Sequence, residues 1–161
     1  MPREPRATSA GLVLYRRRPE LEVLLGHMGG PYFARRDDGA WSIPKGEYTP
    51  DEEPLAAARR EFAEELGIAA PADGEHHALG AIRQRNGKQV TAWAVEGDLD
   101  VGSVVSNTFE IEWPPRSGRR QSFPEIDRAA WFDVGTAGRK MVAGQAELLD
   151  RLLAVLARPA S

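Results

Sequence analysis

The segment from about residue 52 to residue 66 constrains the fold more than any other part of this chain. Four apolar residues recur in it at helical spacing and form a single stripe: Leu55, Ala58, Phe62 and Leu66. Such a stripe is typical of an amphipathic helix that packs one face on a core. Gly67 follows the stripe as a natural left-handed cap, so we expect the helix to end at Leu66.

The start of this helix is signalled at two places. The run Thr49-Pro50-Asp51-Glu52 matches a capping box with proline at the first helical position. Pro54 fills the same role in the first turn if the helix begins later. The residues alone leave both starts open.

Three carboxylates share one face of the predicted helix. Glu61, Glu64 and Glu65 stand at i, i+3 and i+4, and like charges at this spacing repel by a few tenths of a kcal/mol per pair. Glu64 and Glu65 also lie in the last turn, where the helix dipole disfavours anions by roughly 0.3–1 kcal/mol each. Converging carboxylates suit a hard divalent cation, whereas the alternative is an ordinary solvated acidic face.

The remainder of the chain predicts a mixed sheet. Short apolar runs bounded by Gly and Pro indicate strands over residues 9–15, 22–27, 41–43, 79–83, 89–95, 108–113 and 129–133. Asn86-Gly87 predicts a hairpin turn, and residues 114–121 are expected to form a loop. A second helix is expected over residues 144–156 and is stopped by Pro159. This order predicts an α/β (α+β) fold in which helices flank a mixed sheet.

Composition limits the class of protein. A chain of 161 residues is about one domain, and we expect residues 1–161 to form it, with residues 1–7 as a frayed tail. The absence of cysteine excludes disulfide scaffolds, Cys-based zinc sites and thiol nucleophiles, and it favours the cytoplasm. A net charge of -3 provides no positive field for nucleic acid. The apolar runs are too short to cross a membrane.

The residues around the glutamates match a complete motif. Gly46 is followed after five residues by Glu52 and after seven more by Arg60-Glu61-Phe62-x-Glu64-Glu65-x-Gly67-Ile68. This pattern matches the Nudix box at every fixed position, so the chain resembles the Nudix hydrolases, and in particular a bacterial branch of predicted NTP pyrophosphohydrolases. The box covers residues 46–68, and the order of elements fits the α/β/α sandwich of the family over nearly the whole chain.

The resemblance implies roles for the matching positions. Glu61, Glu64 and Glu65 would hold Mg²⁺ or Mn²⁺ and help to activate water, with the Gly46 carbonyl as a further ligand. The other box positions are expected to be structural, with Arg60 bound to nearby carboxylates: Glu52, Arg60, Phe62, Gly67 and Ile68. The expected reaction is Mg²⁺-dependent attack of water on a phosphoanhydride bond.

Residues outside the box bear on the substrate. Pro44-Lys45-Gly46 is similar to Nudix enzymes that act on dinucleoside polyphosphates, diphosphoinositol polyphosphates and some nucleoside triphosphates, and Lys45, one of three lysines, is expected to touch a phosphate. Glu125 resembles a late loop glutamate that serves some Nudix enzymes as a ligand or general base. Arginines of the 114–121 loop are candidates to bind distal phosphates: Arg116, Arg119 and Arg120. An early loop offers residues to stack on a base or to anchor the loop itself: Tyr32, Phe33, Arg35 and Arg36.

These observations favour a cytoplasmic hydrolase of nucleoside polyphosphates, with dinucleoside polyphosphates or nucleoside triphosphates preferred. Two alternatives stay open within the enzymes: a diphosphoinositol polyphosphate hydrolase and another nucleoside diphosphate-X hydrolase. A Nudix domain that only senses a ligand is the rival from another class. The expected partner is a small phosphorylated nucleotide rather than nucleic acid or a membrane, and the family resemblance favours a homodimer.

Overall fold

The computed structural model describes residues 8–158. The expectations of a frayed tail over residues 1–7 and of Pro159 as a helix stop lie outside the described residues. In the described range the chain forms nine strands and three α-helices, in the order β1 (Thr8–Arg17), β2 (Leu21–Met28), β3 (Trp41–Ser42), β4 (Lys45–Glu47), α1 (Pro54–Leu66), β5 (His77–Arg83), β6 (Gln89–Glu96), β7 (Thr108–Glu112), β8 (Arg120–Pro124), β9 (Ile126–Asp133), α2 (Val134–Lys140) and α3 (Glu147–Leu156). A short 3-10 helix, Val101–Ser103, lies between β6 and β7.

Seven of the strands form one mixed sheet. Its main path runs β3-β2-β1-β6-β5, with β4 paired to β1 and β9 paired to β2. The β1 and β6 strands are parallel, whereas the other pairs of this sheet are antiparallel. Strands β7 and β8 form a separate two-stranded sheet. The expected fold class, a mixed sheet flanked by helices, is confirmed.

The sheet is buried on both faces because β1 alternates between two cores. Val13 and Tyr15 point to a core that includes the apolar side of α3, while Leu12 and Leu14 point to a core that includes the apolar side of α1. The apolar stripe of α1 packs on this core as expected: Ala58, Phe62 and Leu66 are fully inaccessible, and Leu55 is partly buried. Packing of that stripe sets the rotation of α1 on the sheet, and therefore also the direction of its acidic face.

Several element boundaries differ from the expectations. Helix α1 begins at Pro54, because the carboxylate of Glu53 accepts hydrogen bonds from the N–H groups of Leu55 (3.2 Å) and Ala56 (2.8 Å) and so caps the helix. Of the two start signals, the capping box at Thr49 is therefore wrong and Pro54 is right. Strand β8 occupies part of the expected 114–121 loop, because residues 120–124 pair with β7. Three further elements were not expected: β4, the first residues of β9, and α2, which is capped by Asp133.

No helix within residues 8–158 has both the length and the hydropathy needed to cross a membrane.

Candidate active site

Strand β4 lies against the acidic face of α1. The Lys45 N–H donates a hydrogen bond to Oε2 of Glu65 (3.3 Å), which ties the strand to the last turn of the helix. One turn earlier, the carboxylate of Glu61 lies where a side chain on Gly46 would project. Because Glu61 and Glu65 are separated by four residues, both point to the strand. The position that the Glu61 carboxylate adopts is therefore compatible with glycine at position 46 but not with a residue that has a Cβ atom.

Arg60 connects the carboxylates of this region. Its guanidinium donates two hydrogen bonds to Glu52, each of 2.8 Å, in a bidentate pair. Its Nη1 atom also donates to Glu61 (2.8 Å) and to Glu64 (3.1 Å). A single cationic nitrogen thus lies between the carboxylates of Glu61 and Glu64 and offsets their mutual repulsion.

Burial changes the proton affinity of the groups between β4 and α1. Removal of the Glu65 carboxylate from water raises its pKa to about 8, although the nearby Lys45 ammonium acts in the opposite direction. Burial likewise raises the pKa of Glu61 and lowers the pKa of Lys45. The charge of Glu125 acts on both Lys45 and Glu65, so this residue, which lies between β8 and β9, faces the same region. Four titratable groups therefore influence one another at one place on the surface.

The donor chemistry fits a hard divalent cation, although the part of the chain that the structure describes holds no preassembled three-carboxylate site. Within residues 8–158, no three His, Cys, Asp or Glu side chains are arranged to hold a metal ion. Glu61 and Glu64 are nevertheless both within hydrogen-bonding distance of one Arg60 nitrogen, and this nitrogen occupies a position between two carboxylates that suits a cation. All available ligands are oxygen atoms, as Mg²⁺ requires. A divalent cation bound here would compete with Arg60 for the carboxylates of Glu61 and Glu64.

A cavity of about 300 Å³ adjoins the glutamate region. Lys45 belongs to both, because its backbone N–H binds Glu65 and the residue is part of the cavity lining. The full lining is Met28, Phe33, Ser42, Lys45, Gln84, Arg85, Asn86, Lys88, Val142 and Ala143. The cavity therefore combines an apolar side with a strongly cationic one.

Sequence reasoning missed most of this cavity. Gln84, Arg85 and Lys88 surround the turn that Asn86-Gly87 correctly predicted, since β5 and β6 pair directly on either side of it. The Asn86-Gly87 dipeptide predicts that these residues lie at one end of the sheet. It does not predict that Lys45 of β4 lies beside them, because that contact depends on the tertiary fold.

The loop that carries Phe33 is fastened to the sheet through a buried histidine. His27 is fully inaccessible, and its Nε2 lies 2.7 Å from the Arg36 carbonyl oxygen, so Nε2 carries a proton and donates it. Its Nδ1 lies 2.8 Å from the Asp127 carboxylate at the start of β9. His27 thus joins the early loop to the strand that follows Glu125.

The remaining predicted residues lie at different places. Arg116 lies on the exposed turn between β7 and β8, in the left-handed region with φ of 62°, and is not in the lining of the cavity. Tyr32 is exposed and packs edge-on against Trp113, whereas its neighbour Phe33 enters the cavity lining. Gly67 caps α1 with φ of 71°, as expected from the sequence.

Known proteins share both the sequence pattern and the fold of this chain. A family model described as the NUDIX domain matches residues 5–152. The chain is similar to an Ap4A hydrolase of C. elegans solved as a binary complex, with 25% sequence identity and a TM-score of 0.62 over 93% of this chain and 98% of that one. The NUDIX domain of Shewanella oneidensis NrtR, solved with ADP ribose, gives 14% identity and a TM-score of 0.63 over 96% and 90% of the two chains.

A third similar structure is a MutT protein of Methanosarcina mazei Go1, with 18% identity and a TM-score of 0.59 over 98% of this chain and all of that chain. At 14% and 18% identity, NrtR and MutT show a common fold alone. Among curated protein sequences, none is significantly similar to this chain.

Proposed function

This chain belongs to the Nudix hydrolase family, and we propose that it is a Mg²⁺-dependent enzyme that hydrolyses a phosphoanhydride bond in nucleoside polyphosphates. Dinucleoside polyphosphates and nucleoside triphosphates are the preferred substrates. One observation carries this proposal: the acidic face of α1 and the cation-lined cavity meet at Lys45. Carboxylates for a divalent cation and cations for phosphates are thus contiguous.

The carboxylates have separate tasks in this proposal. Glu61, Glu64 and Glu65, with the carbonyl oxygen of Gly46, would hold Mg²⁺ or Mn²⁺. A bound divalent ion neutralises phosphate charge and lowers the pKa of water, which are the two contributions that phosphoanhydride hydrolysis needs most. Glu125 is assigned the acceptance of a proton from the attacking water, a role supported by its charge acting on Glu65 and by its exposure.

The side chain of Lys45 is assigned to the substrate. The Lys45 ammonium makes no ion pair within 4.0 Å among residues 8–158, whereas Lys88 pairs with Glu47, and burial lowers the pKa of Lys45. A largely desolvated cation without a close partner favours binding of an anion. A phosphate held there would lie between the glutamates and the cavity. Arg116 is proposed to reach only the distal end of a long substrate, because it lies on the exposed β7-β8 turn.

Arg60, Glu52 and Gly67 are proposed to act structurally. The bidentate Arg60–Glu52 pair joins the segment before α1 to the acidic face of the helix. Gly67 turns the chain at the end of α1, where its N–H donates to the Ala63 carbonyl oxygen (2.8 Å). These residues would hold the ligands in place without contact with the substrate.

A screen for phosphate-bond hydrolysis tests the proposal. Purified protein would be incubated with Mg²⁺ and a panel of nucleoside triphosphates, dinucleoside polyphosphates, ADP ribose and a diphosphoinositol polyphosphate, and the products separated by chromatography. Turnover of diadenosine tetraphosphate or a nucleoside triphosphate is expected. Preferential turnover of ADP ribose or of the inositol compound would instead support one of the alternative substrates.

A ligand-sensing domain is the remaining alternative. It predicts nucleotide binding without hydrolysis, so folded protein that binds members of the panel and turns over none of them would favour it. The presence of all three glutamates on the acidic face of α1 and of Gly46 argues for catalysis, since carboxylates that repel one another are unfavourable for stability alone. We further propose that the protein works in the cytoplasm on a small phosphorylated nucleotide, as a homodimer.

A further inference from the structure

Gln84 lies in the wall of the 300 Å³ cavity, with a side chain that is almost entirely buried. It is 7% exposed, and its Oε1 accepts a hydrogen bond of 2.9 Å from Nε2 of Gln145. Its own Nε2 has no hydrogen-bond partner among residues 8–158. Every fully buried side-chain nitrogen or oxygen in that range has a hydrogen-bond partner. Because the Nε2 of Gln84 has none, this atom must retain accessible surface. The open side of Gln84 is the cavity that it lines.

The orientation of the Gln84 amide is fixed by a chain of hydrogen bonds that starts at the backbone. The Ile43 N–H donates to Gln145 (3.1 Å), and because a backbone N–H is always a donor, the receiving atom must be Oε1 of Gln145. The amide nitrogen of Gln145 is therefore the atom that faces Ser42 Oγ and Gln84, at 2.9 Å each. Gln84 must present its oxygen to that nitrogen, and so its NH₂ group to the cavity.

This chain of hydrogen bonds cannot easily reverse its direction, because each group in it already has its hydrogen-bond partners. The Ser42 hydroxyl donates its only proton to the Ile43 carbonyl oxygen (2.8 Å) and accepts from Gln145. Gln145 is itself completely buried, so water is not present to satisfy a flipped amide. Turning Gln84 over would place two NH₂ groups against each other and leave buried donors without acceptors, which is costly.

Most other polar residues of the cavity carry donors. Lys45, Arg85 and Lys88 are cationic residues of the lining, and the Lys88 ammonium lies 3.5 Å from a carboxylate oxygen of Glu47. The Asn86 Oδ1 is already bound by the Lys88 N–H at 3.0 Å, which leaves its NH₂ group free. Apart from Ser42, whose hydroxyl is already bound to Ile43 and Gln145, the polar side chains of this wall offer donors, three of them on cationic residues. Such a wall complements a ligand that is anionic and rich in acceptors.

We propose that this cavity is a subsite for the phosphoryl groups of the substrate beyond the scissile bond, and that Gln84, held by Gln145, is a specificity-determining residue in it. This inference rests on the proposed function, because it identifies which part of a nucleotide enters. The volume, about 300 Å³, is at the lower limit of small-molecule pockets and fits a short phosphate chain better than a whole nucleotide. Phosphate oxygens accept hydrogen bonds and never donate them when ionised, which matches the fixed direction of the Gln84 amide.

The test measures binding without catalysis. Inorganic tripolyphosphate would be titrated into the intact protein by calorimetry, in the presence of a chelator so that no divalent ion contributes. Gln84→Glu keeps the oxygen that Gln145 binds and replaces the NH₂ group by a negative oxygen. We expect it to weaken tripolyphosphate binding by about 10- to 100-fold, because a hydrogen bond to a charged group is exchanged for a repulsion.

Two further variants make this result specific. Gln89→Glu introduces the same charge on the neighbouring strand β6, and it should leave affinity within about threefold if the position of the atom, rather than net charge, matters. Gln84→Met removes the donor without adding charge, although it also removes the acceptor of Gln145, and native Gln84→Met protein should bind about tenfold more weakly. Thermal unfolding would verify that each variant is native.

Three results would overturn the inference: no binding of tripolyphosphate by the wild-type protein, equal binding by native Gln84→Glu or Gln84→Met, and equal losses in Gln84→Glu and Gln89→Glu. Tighter binding of an unphosphorylated nucleoside, weakened by Gln84→Met, would also overturn it by identifying a base pocket. Failure of hydrolysis with binding intact would instead contradict the proposed function and leave this subsite in place.

Discussion

Substitution of Gly46 by alanine is expected to displace the Glu61 carboxylate while changing the stability of the fold only a little. A Cβ atom at position 46 would overlap the Glu61 carboxylate, and even the more distant carboxylate oxygen would be 2.6 Å away, where ordinary contact begins at 3.4 Å. The strand is fixed by its pairing with β1 through Ala10, so the side chain of Glu61 must yield. Its nearest oxygen must move by roughly 1.4 Å, since it would lie 2.0 Å from the added Cβ and ordinary contact begins at 3.4 Å.

The expected cost falls on catalysis rather than on folding. Displacement of a reacting or ligating group by about 1 Å lowers the rate by about 100-fold. Only the end of a flexible side chain has to move, so the free energy of unfolding should change by no more than about 1–2 kcal/mol. Turnover of the best substrate and thermal unfolding would be measured for the same preparation.

Gly138→Ala is the matched control for this experiment. Gly138 lies within α2, where an added Cβ would meet Leu149 at an ordinary distance of 3.6 Å. This substitution should leave activity unchanged and stabilise the helix by about 0.5–1 kcal/mol, because alanine loses less conformational entropy than glycine. Native Gly46→Ala protein with activity within threefold of the wild type would refute the reasoning about Glu61.

Other perturbations have equally defined outcomes. Glu64→Gln combined with Glu65→Gln keeps the shape and helix propensity of both side chains but removes their charge, so turnover should fall at least about 100-fold with little loss of thermal stability; retained activity would contradict the metal assignment. Mg²⁺ affinity, measured by calorimetry, should increase as the pH rises from about 6 and level off above about 8, because the pKa of Glu65 is raised to about 8 and a cation must displace its proton. Equal affinity at pH 6 and pH 8 would count against a buried, protonated Glu65. Gly67→Ala should lower the free energy of unfolding by about 1–3 kcal/mol in chemical denaturation, since φ of 71° strains any residue with a Cβ atom and that atom would collide with the Val105 carbonyl; an unchanged midpoint would show that the cap is dispensable.

The parts of the fold that were predicted correctly depend on local pattern. The apolar residues of α1 recur at helical spacing, which predicts the helix. Gly67 adopts a left-handed conformation that other residues rarely adopt, so a single local residue predicts where the helix ends. The hairpin at Asn86-Gly87 is equally local. The start of α1 was ambiguous because two proline-containing caps stand close together, and the choice depends on which carboxylate reaches the first N–H groups.

The missed elements depend on contacts between distant residues. Strand β4 has only three residues, one of which is Gly46, and it forms because β1 is available as a partner. Strand β8 is polar and exposed, so it has no apolar alternation to reveal it, and it exists through pairing with β7. Helix α2 contains Gly135 and Gly138, which lower helix propensity, and it is held by the Asp133 cap and by burial of Ala137.

The candidate site likewise has a part that local sequence predicts and a part that depends on contacts between distant residues. Its glutamates belong to a continuous motif, and their spacing on a helix is sufficient to place them on one face. The cavity is assembled from separate parts of the chain, and the direction of the Gln84 amide depends on Gln145, which is 61 residues away. Neither residue is charged, and neither lies in the box, so no pattern in the sequence distinguishes them from ordinary surface glutamines.

Turnover as a function of Mg²⁺ concentration tests the central claim most directly. The substrate from the panel with the highest rate would be incubated with the wild-type protein over a range of Mg²⁺ concentrations and in excess chelator. The proposed mechanism predicts a rate that saturates with Mg²⁺ and vanishes in chelator, and that is restored by Mn²⁺. Folded protein that hydrolyses no phosphoanhydride at any Mg²⁺ concentration, or that hydrolyses one equally well in chelator, would contradict the claim.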